Sequence, residues 1–287
     1  MGKLLWLASY PKSGNTWLRL FLLTLLRDPP APLSINDVTK LTVADHRRSD
    51  YERLSGKSYE DLSWEEIARL RPRLHQELTT VHPNPVMIKT HAVLADHYGA
   101  PLITPQATAA AIYVVRNPLD IVASLANHAG MDLDQTIEFM AKEESLLGDG
   151  EKYLPSPVAS WSTHVKSWTV RPHPQLLVLR YEDMAENAEE TFTKVAQFLN
   201  LRRSPAQIRK AIDFTSFDNF KEQEQRDGFR ERHKKSEQFF RKGKAGSWRE
   251  ELSPQQAERL WTRHQEEMRR FGYERPFSGA DGAHKQA

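Results

Sequence analysis

The sequence has no cysteine among its 287 residues. Disulfides, thiolate zinc sites, iron–sulfur clusters and a cysteine nucleophile are therefore excluded. Long apolar runs are missing as well. The longest, Leu18 to Leu26, is interrupted by Arg19 and Thr24 and falls far short of the roughly 20 residues of a membrane span. Met1 to Ala8 imitates a signal peptide, but its apolar stretch is brief and Pro11-Lys12 follows it. The Ser or Thr of a myristoylation motif is absent. A cytoplasmic protein with no membrane partner is expected. An excess of charge is missing too, since 40 Lys and Arg against 38 Asp and Glu leave a net +2. No global polycation exists to hold nucleic acid, so no nucleic-acid partner is expected. His91 and His97 lack metal-ligand spacing, and no metal is expected.

What is present is a globular composition, 39% hydrophobic and 27% charged. Four brief apolar runs read as buried strands: Leu4 to Ala8, Val86 to Thr90, Ala111 to Val115, and Leu176 to Leu179. Helical sequence follows each. After the first, Leu18, Phe21, Leu22, Leu25 and Leu26 form the stripe of a helix over Thr16 to Arg27. Asn117-Pro118 is a helix start with Asn as cap. Ser253-Pro254-Gln255-Gln256 is a capping box opening a further helix. Strands alternating with helices predict an α/β fold, a central parallel sheet flanked by helices, and the length suits one large domain or two small ones. Residues 28–85 read as an insertion of loops and helices. Lys221 to Gly246 is dense in charge and reads as a mobile surface segment. Residues 275–287 read as a disordered tail.

The first strand, loop and helix carry the strongest chemical signal. The loop reads Tyr10-Pro11-Lys12-Ser13-Gly14-Asn15-Thr16-Trp17. A loop in this setting points backbone N–H groups outward, and the helix N-terminus adds about half a positive charge. Gly14 permits close approach of a ligand, Lys12 supplies charge, and Ser13, Asn15 and Thr16 supply short donors. The order is not a Walker A sequence, because Lys12 precedes the glycine. No apolar strand ends in an Asp suited to Mg²⁺. A metal-free cradle for phosphate or sulfate is expected.

That loop resembles the 5′-phosphosulfate loop, YPKSGTTW, of the sulfotransferases that use 3′-phosphoadenosine 5′-phosphosulfate (PAPS) and release 3′,5′-phosphoadenosine (PAP). Asn15 departs from the family's Thr but retains a donor. Tyr113 to Ser124 is similar to the family's 3′-phosphate motif. Arg241-Lys242-Gly243-Lys244-Ala245-Gly246-Ser247-Trp248 is similar to its RKGxxGDW loop, with Ser247 for Asp. Met87-Ile88-Lys89-Thr90-His91 resembles the segment bearing the catalytic histidine. Tyr181-Glu182-Asp183 and Thr215-Ser216-Phe217 have counterparts as well. These segments run in family order from residue 4 to residue 248, and the resemblance implies a single α/β domain with a central parallel sheet flanked by helices, here over residues 1–274.

The resemblance implies a transfer of SO₃ from PAPS to the hydroxyl of a small molecule, a phenol, alcohol or steroid-like compound. Lys12 would meet the oxygen bridging phosphorus and sulfur. Ser13, Gly14, Asn15, Thr16 and Trp17 would hold the 5′-phosphate. Arg116 and Ser124 would bind the 3′-phosphate, and Arg241, Lys242 and Gly243 would close over it. Trp17 and Phe217 would sandwich the adenine, with Tyr181 and Thr215 as polar contacts. His91 is the candidate general base, and Lys89, on the same strand face, would stabilise the sulfuryl oxygens. The acceptor pocket is expected from residues 28–85 and 126–165. An ATP-dependent kinase and a non-catalytic nucleotide-binding protein of the same fold are the competing readings. The family's dimer motif, KxxxTVxxxE, has Ser253-Pro254 for Thr-Val here, so a monomer and a homodimer both stay open.

Overall fold

The computed structural model describes residues 3–148 and 150–277. Its central sheet has four strands among the described residues: β1 (Leu4–Ser9), β2 (Val86–Thr90), β3 (Thr108–Val115) and β4 (Leu176–Arg180). All pairings are parallel and the spatial order is β2-β1-β3-β4. The four predicted strands are thus all present, β3 beginning earlier than its apolar run suggested. Both faces of the sheet are covered, which is why the strands read as continuous apolar runs. Alternation then divides β1. Leu4, Trp6 and Ala8 join one core, and Leu5 and Leu7 join the other.

Eleven α-helices surround the sheet among the described residues. Seven bear on the site: α1 (Asn15–Arg27), α2 (Trp64–Leu78), α3 (Pro118–Ala129), α4 (Trp161–Thr169), α5 (Tyr181–Glu186), α6 (Phe217–Asp227) and α7 (Pro254–Arg270). Asn117 caps α3 through its side chain, and Ser253 with Gln256 closes the capping box of α7. None of the described helices is long and apolar enough to cross a membrane.

The chain runs from β1 to β2 on one side and returns to β3 on the other. That reversal opens a crevice beyond the carboxyl ends of the strands, where ligands of open α/β sheets bind. Ser9, His91 and Arg116 all lie at this edge.

One expectation is revised. The segment after α6 is anchored. Phe229 and Phe240 are buried against Leu20, Ile35, Val38 and Phe220. The Glu224 carboxylate accepts from the N–H of Phe239 at 2.8 Å and of Phe240 at 2.9 Å. The apolar anchors are spaced among charges, so the sequence shows only the charges. Of the predicted tail, Arg275 pairs with Glu258 and Phe277 packs edge-on to Trp248; residues 278–287 lie outside the described residues.

Candidate active site

The loop leaving β1 turns sharply. Lys12 has φ +65° and Gly14 φ +99°. A Cβ on Gly14 would lie 2.6 Å from the Tyr181 ring, so only glycine fits. Helix α1 starts at Asn15 with no side-chain cap, which leaves its first N–H groups unpartnered toward the crevice. The Ser13 hydroxyl, Trp17 Nε1 and Arg116 Nε are buried without partners among the described residues. Arg116 donates to the Lys12 carbonyl at 3.1 Å and stacks 4.1 Å over the Tyr181 ring.

A cavity of about 230 Å³ fills this corner. Of the residues expected to hold nucleotide, Lys12, Gly14, Asn15, Thr16, Trp17, Arg116, Ser124, Tyr181, Phe217, Arg241, Lys242 and Gly243 line it. Tyr181 donates from its hydroxyl to the Gly243 carbonyl at 3.0 Å, tying the two ends of the wall together. Gly243, at φ +64°, lies so close to Phe217 that a Cβ would overlap the ring at 2.2 Å. Arg241 pairs with Glu251 and donates to the Ala123 carbonyl at 3.0 Å; Lys242 lies 2.8 Å from Glu250.

Three expected contacts differ. Ser13 is fully buried and is not among the residues lining the cavity. The Asn15 side chain faces inward, donating to the Leu7 carbonyl at 2.9 Å and accepting from Arg19 Nε at 3.0 Å. Its backbone N–H, at the start of α1, remains for an anion. Thr215 is buried and does not line the cavity; its hydroxyl donates to the Ala211 carbonyl at 2.7 Å. Back-bonding of this kind is the ordinary use of a Thr at a helix end.

Electrostatics test whether an anion belongs here. Burial, with Lys89 and Arg116 adding repulsion, pushes the Lys12 ammonium down to about 7. A bound polyanion reverses that pressure, so these residues fit a phosphosulfate. A pH dependence follows. With a free Lys12 near 7 and a bound Lys12 higher, PAP affinity is greatest below pH 7 and falls as pH rises through the interval between the two, by up to about tenfold per pH unit. Titration calorimetry from pH about 6 to about 9 checks it, with Lys12→Arg as the non-titrating control; superposable profiles for the two proteins contradict the assignment.

His91 follows β2 directly. Its Nδ1 lies 2.8 Å from the Ser9 carbonyl oxygen. A carbonyl only accepts, so Nδ1 carries the proton and Nε2 keeps the lone pair. His164 Nε2 lies 3.1 Å from the His91 carbonyl and its Nδ1 lies 2.8 Å from the Tyr113 hydroxyl, fixing the backbone from α4. Burial, with Lys89 adding to it, holds the His91 imidazole well below 6.5, so it is neutral. Lys89 lies 3.7 Å from Glu231, which pairs bidentately with the fully buried Arg19 at 2.6 and 2.8 Å.

A second cavity, about 730 Å³, adjoins the first, and Lys89, His91, His128, Leu147 and Glu231 line both. Tyr51, Phe139 and Tyr153, from the segments expected to build the acceptor pocket, contribute to its wall, and the chain from Arg230 to Lys235 adds another side. Sequence reasoning missed His128, Glu231 and Asp120. Asp120 accepts from the N–H of Gly246 at 2.8 Å and of Trp248 at 3.0 Å, holding the Arg241 to Trp248 loop over the site. Its spacing four residues before Ser124 on α3 was the available signal.

A family description, sulfotransferase domain, matches residues 3–272. Amine sulfotransferase of Oryctolagus cuniculus is 24% identical over 277 residues, 92% of this chain and 80% of that protein. Sulfotransferase 1B1 of Canis lupus familiaris is 28% identical over 275 residues, covering 91% and 82%. Cytosolic sulfotransferase 12 of Arabidopsis thaliana is 26% identical over 262 residues, covering 88% and 74%. Among solved structures, mouse sulfotransferase SULT7A1 complexed with PAP superposes with TM-score 0.60 at 22% identity, covering 93% of this chain and 85% of that one. Retinol dehydratase in a complex with retinol and PAP gives 0.61 at 20%, covering 92% and 80%. The chain belongs to the sulfotransferase family, a family of PAPS-dependent enzymes.

Proposed function

We propose that this protein transfers the sulfuryl group of PAPS to a hydroxyl of a small-molecule acceptor, with His91 as general base. The observation that carries the reading is the junction of the two cavities at Lys89 and His91. The smaller cavity has the anion donors and the larger has room for an acceptor. PAPS supplies the group that moves. His91 Nε2 takes the hydroxyl proton as the new S–O bond forms and the S–O bond to the 5′-phosphate breaks. Lys12 neutralises the departing phosphate oxygen, and Lys89 stands at the junction to stabilise the transferring oxygens. The free N–H groups opening α1, with Ser13, hold the 5′-phosphate. Arg116 and Ser124, with Arg241 and Lys242 released from Glu251 and Glu250, hold the 3′-phosphate. Trp17 and Phe217 flank the base.

Nothing in the family match supports the kinase reading, and the presence of Lys12, Lys89 and His91 around the smaller cavity favours an active enzyme over a binding protein. Residues 1–274 form the catalytic domain in this reading, and the likeness to the plant cytosolic relative supports a cytoplasmic location. The test is nucleotide selectivity. PAP raises the melting temperature more than AMP or ATP does, with or without Mg²⁺. Equal shifts from AMP and PAP would remove Arg116 and Ser124 from the 3′-phosphate site.

A further inference from the structure

The wall of the larger cavity has an unbalanced charge. Seven Lys or Arg side chains line it against three carboxylates. Each of those carboxylates is already engaged. Asp45 lies 3.0 Å from His46 Nδ1 and 3.3 Å from His75 Nε2. Glu231 serves Arg19 and Lys89, and Glu151 lies 3.2 Å from Lys234.

Most of the seven cations are exposed at the mouth, where water solvates them. Arg71 is different. It projects from α2, is only 6% exposed, and its Nη1 is buried with no hydrogen-bond partner. Among the described residues no carboxylate forms an ion pair with it. Its polar neighbour is the phenol of Tyr51, which donates to the Asp45 carbonyl at 3.1 Å. A guanidinium taken out of water without a counter-charge is costly and is ordinarily found paired. Among the described residues the pairing group is missing, and Arg71 lines a cavity large enough to bring one in.

We infer that the acceptor is a hydroxy acid: its carboxylate pairs with Arg71 while its hydroxyl reaches His91. The inference rests on the proposed sulfuryl transfer and adds the acceptor's charge to it. The planar guanidinium matches a carboxylate through two parallel N–H bonds, which an ammonium at the mouth does not reproduce. The exposed cations at the mouth, Lys152 and Arg230 to Lys235 apart from Glu231 and His233, raise the local concentration of an anionic acceptor and speed its entry. A neutral phenol or sterol leaves Arg71 desolvated and unpaired, which is a penalty against that class.

The experiment measures PAPS-dependent sulfation of ω-(4-hydroxyphenyl)alkanoic acids of increasing chain length, each against its carboxamide. The amide keeps the shape and removes the charge. At the length that spans the cavity, the acid is expected to exceed its amide in kcat/KM by about 10-fold to 100-fold. Arg71→Gln abolishes that preference with the amide rate retained, and Arg71→Lys keeps part of it. The PAP-induced rise in melting temperature, read on each variant, establishes that it is folded. Amides matching acids at every length overturn the inference and leave sulfuryl transfer standing. A preference that survives Arg71→Gln overturns it as well. Absence of both sulfation and PAP stabilisation overturns the inference together with the functional reading beneath it.

Discussion

Replacing His91 by alanine lowers sulfuryl transfer by about 10²-fold to 10⁴-fold while the melting shift induced by PAP is kept. The expectation comes from the hydrogen bond at Nδ1. Because the Ser9 carbonyl can only accept, the proton is confined to Nδ1, and the lone pair at Nε2 is available without a change of tautomer. A histidine serving only as packing would show the opposite pattern, with weakened folding and little change in turnover. The pH profile gives a second reading. Burial and the Lys89 ammonium hold the imidazole well below 6.5. A base must be unprotonated to act, so the acid limb of kcat lies below the range of a free histidine and activity persists as pH falls through 6.5. A limb centred at or above 6.5 contradicts the burial-depressed base. Undiminished turnover in the alanine variant removes His91 from the chemistry.

The sheet was legible because its physics is local. Strands buried on both faces must be apolar throughout, and the runs at Leu4, Val86, Ala111 and Leu176 announce themselves. The anion loop was legible for a similar reason, since glycine, lysine and a helix start fall within eight consecutive residues. Charged residues with buried roles were illegible. Arg19 interrupts the apolar run from Leu18 to Leu26, yet it is buried. It donates to the Asn15 side-chain oxygen while Asn15 Nδ2 donates to the Leu7 carbonyl, so the Asn15 side chain is turned inward for a reason that lies four residues away on the same helix. Glu231 sits in a run of nine basic and five acidic residues between Lys221 and Lys244. Nothing in that run distinguishes it from solvated neighbours, because its partner lies 212 positions away. Thr215 fell within a matching motif, but its hydroxyl is satisfied within its own helix.

That hidden pair yields the second large effect. Glu231→Ala is expected to destabilise the protein by about 3 kcal/mol, the lower end for a broken buried pair. The reason is what remains. Arg19 keeps its bonds to Asn15 at 3.0 Å and Thr16 at 3.1 Å, but both are neutral. Its charge is left in a site where its side chain is 1% exposed. The partly exposed carboxylate of Glu231 admits some water, which keeps the loss from the upper end. For a chain of this length the fall in Tm is about 6 °C. The effect reaches chemistry as well. Lys89 loses the carboxylate 3.7 Å away, so repulsion from Arg19 and burial push its ammonium further down. That change weakens the cation at the cavity junction, and kcat falls at alkaline pH more than at neutral pH. The pair is separated from its parts by a double-mutant cycle. Arg19→Met combined with Glu231→Met removes both charges and leaves neither stranded, so it costs less than the sum of the single changes. Strict additivity, or a Glu231→Ala protein melting at the wild-type temperature, shows that the pair carries no such weight.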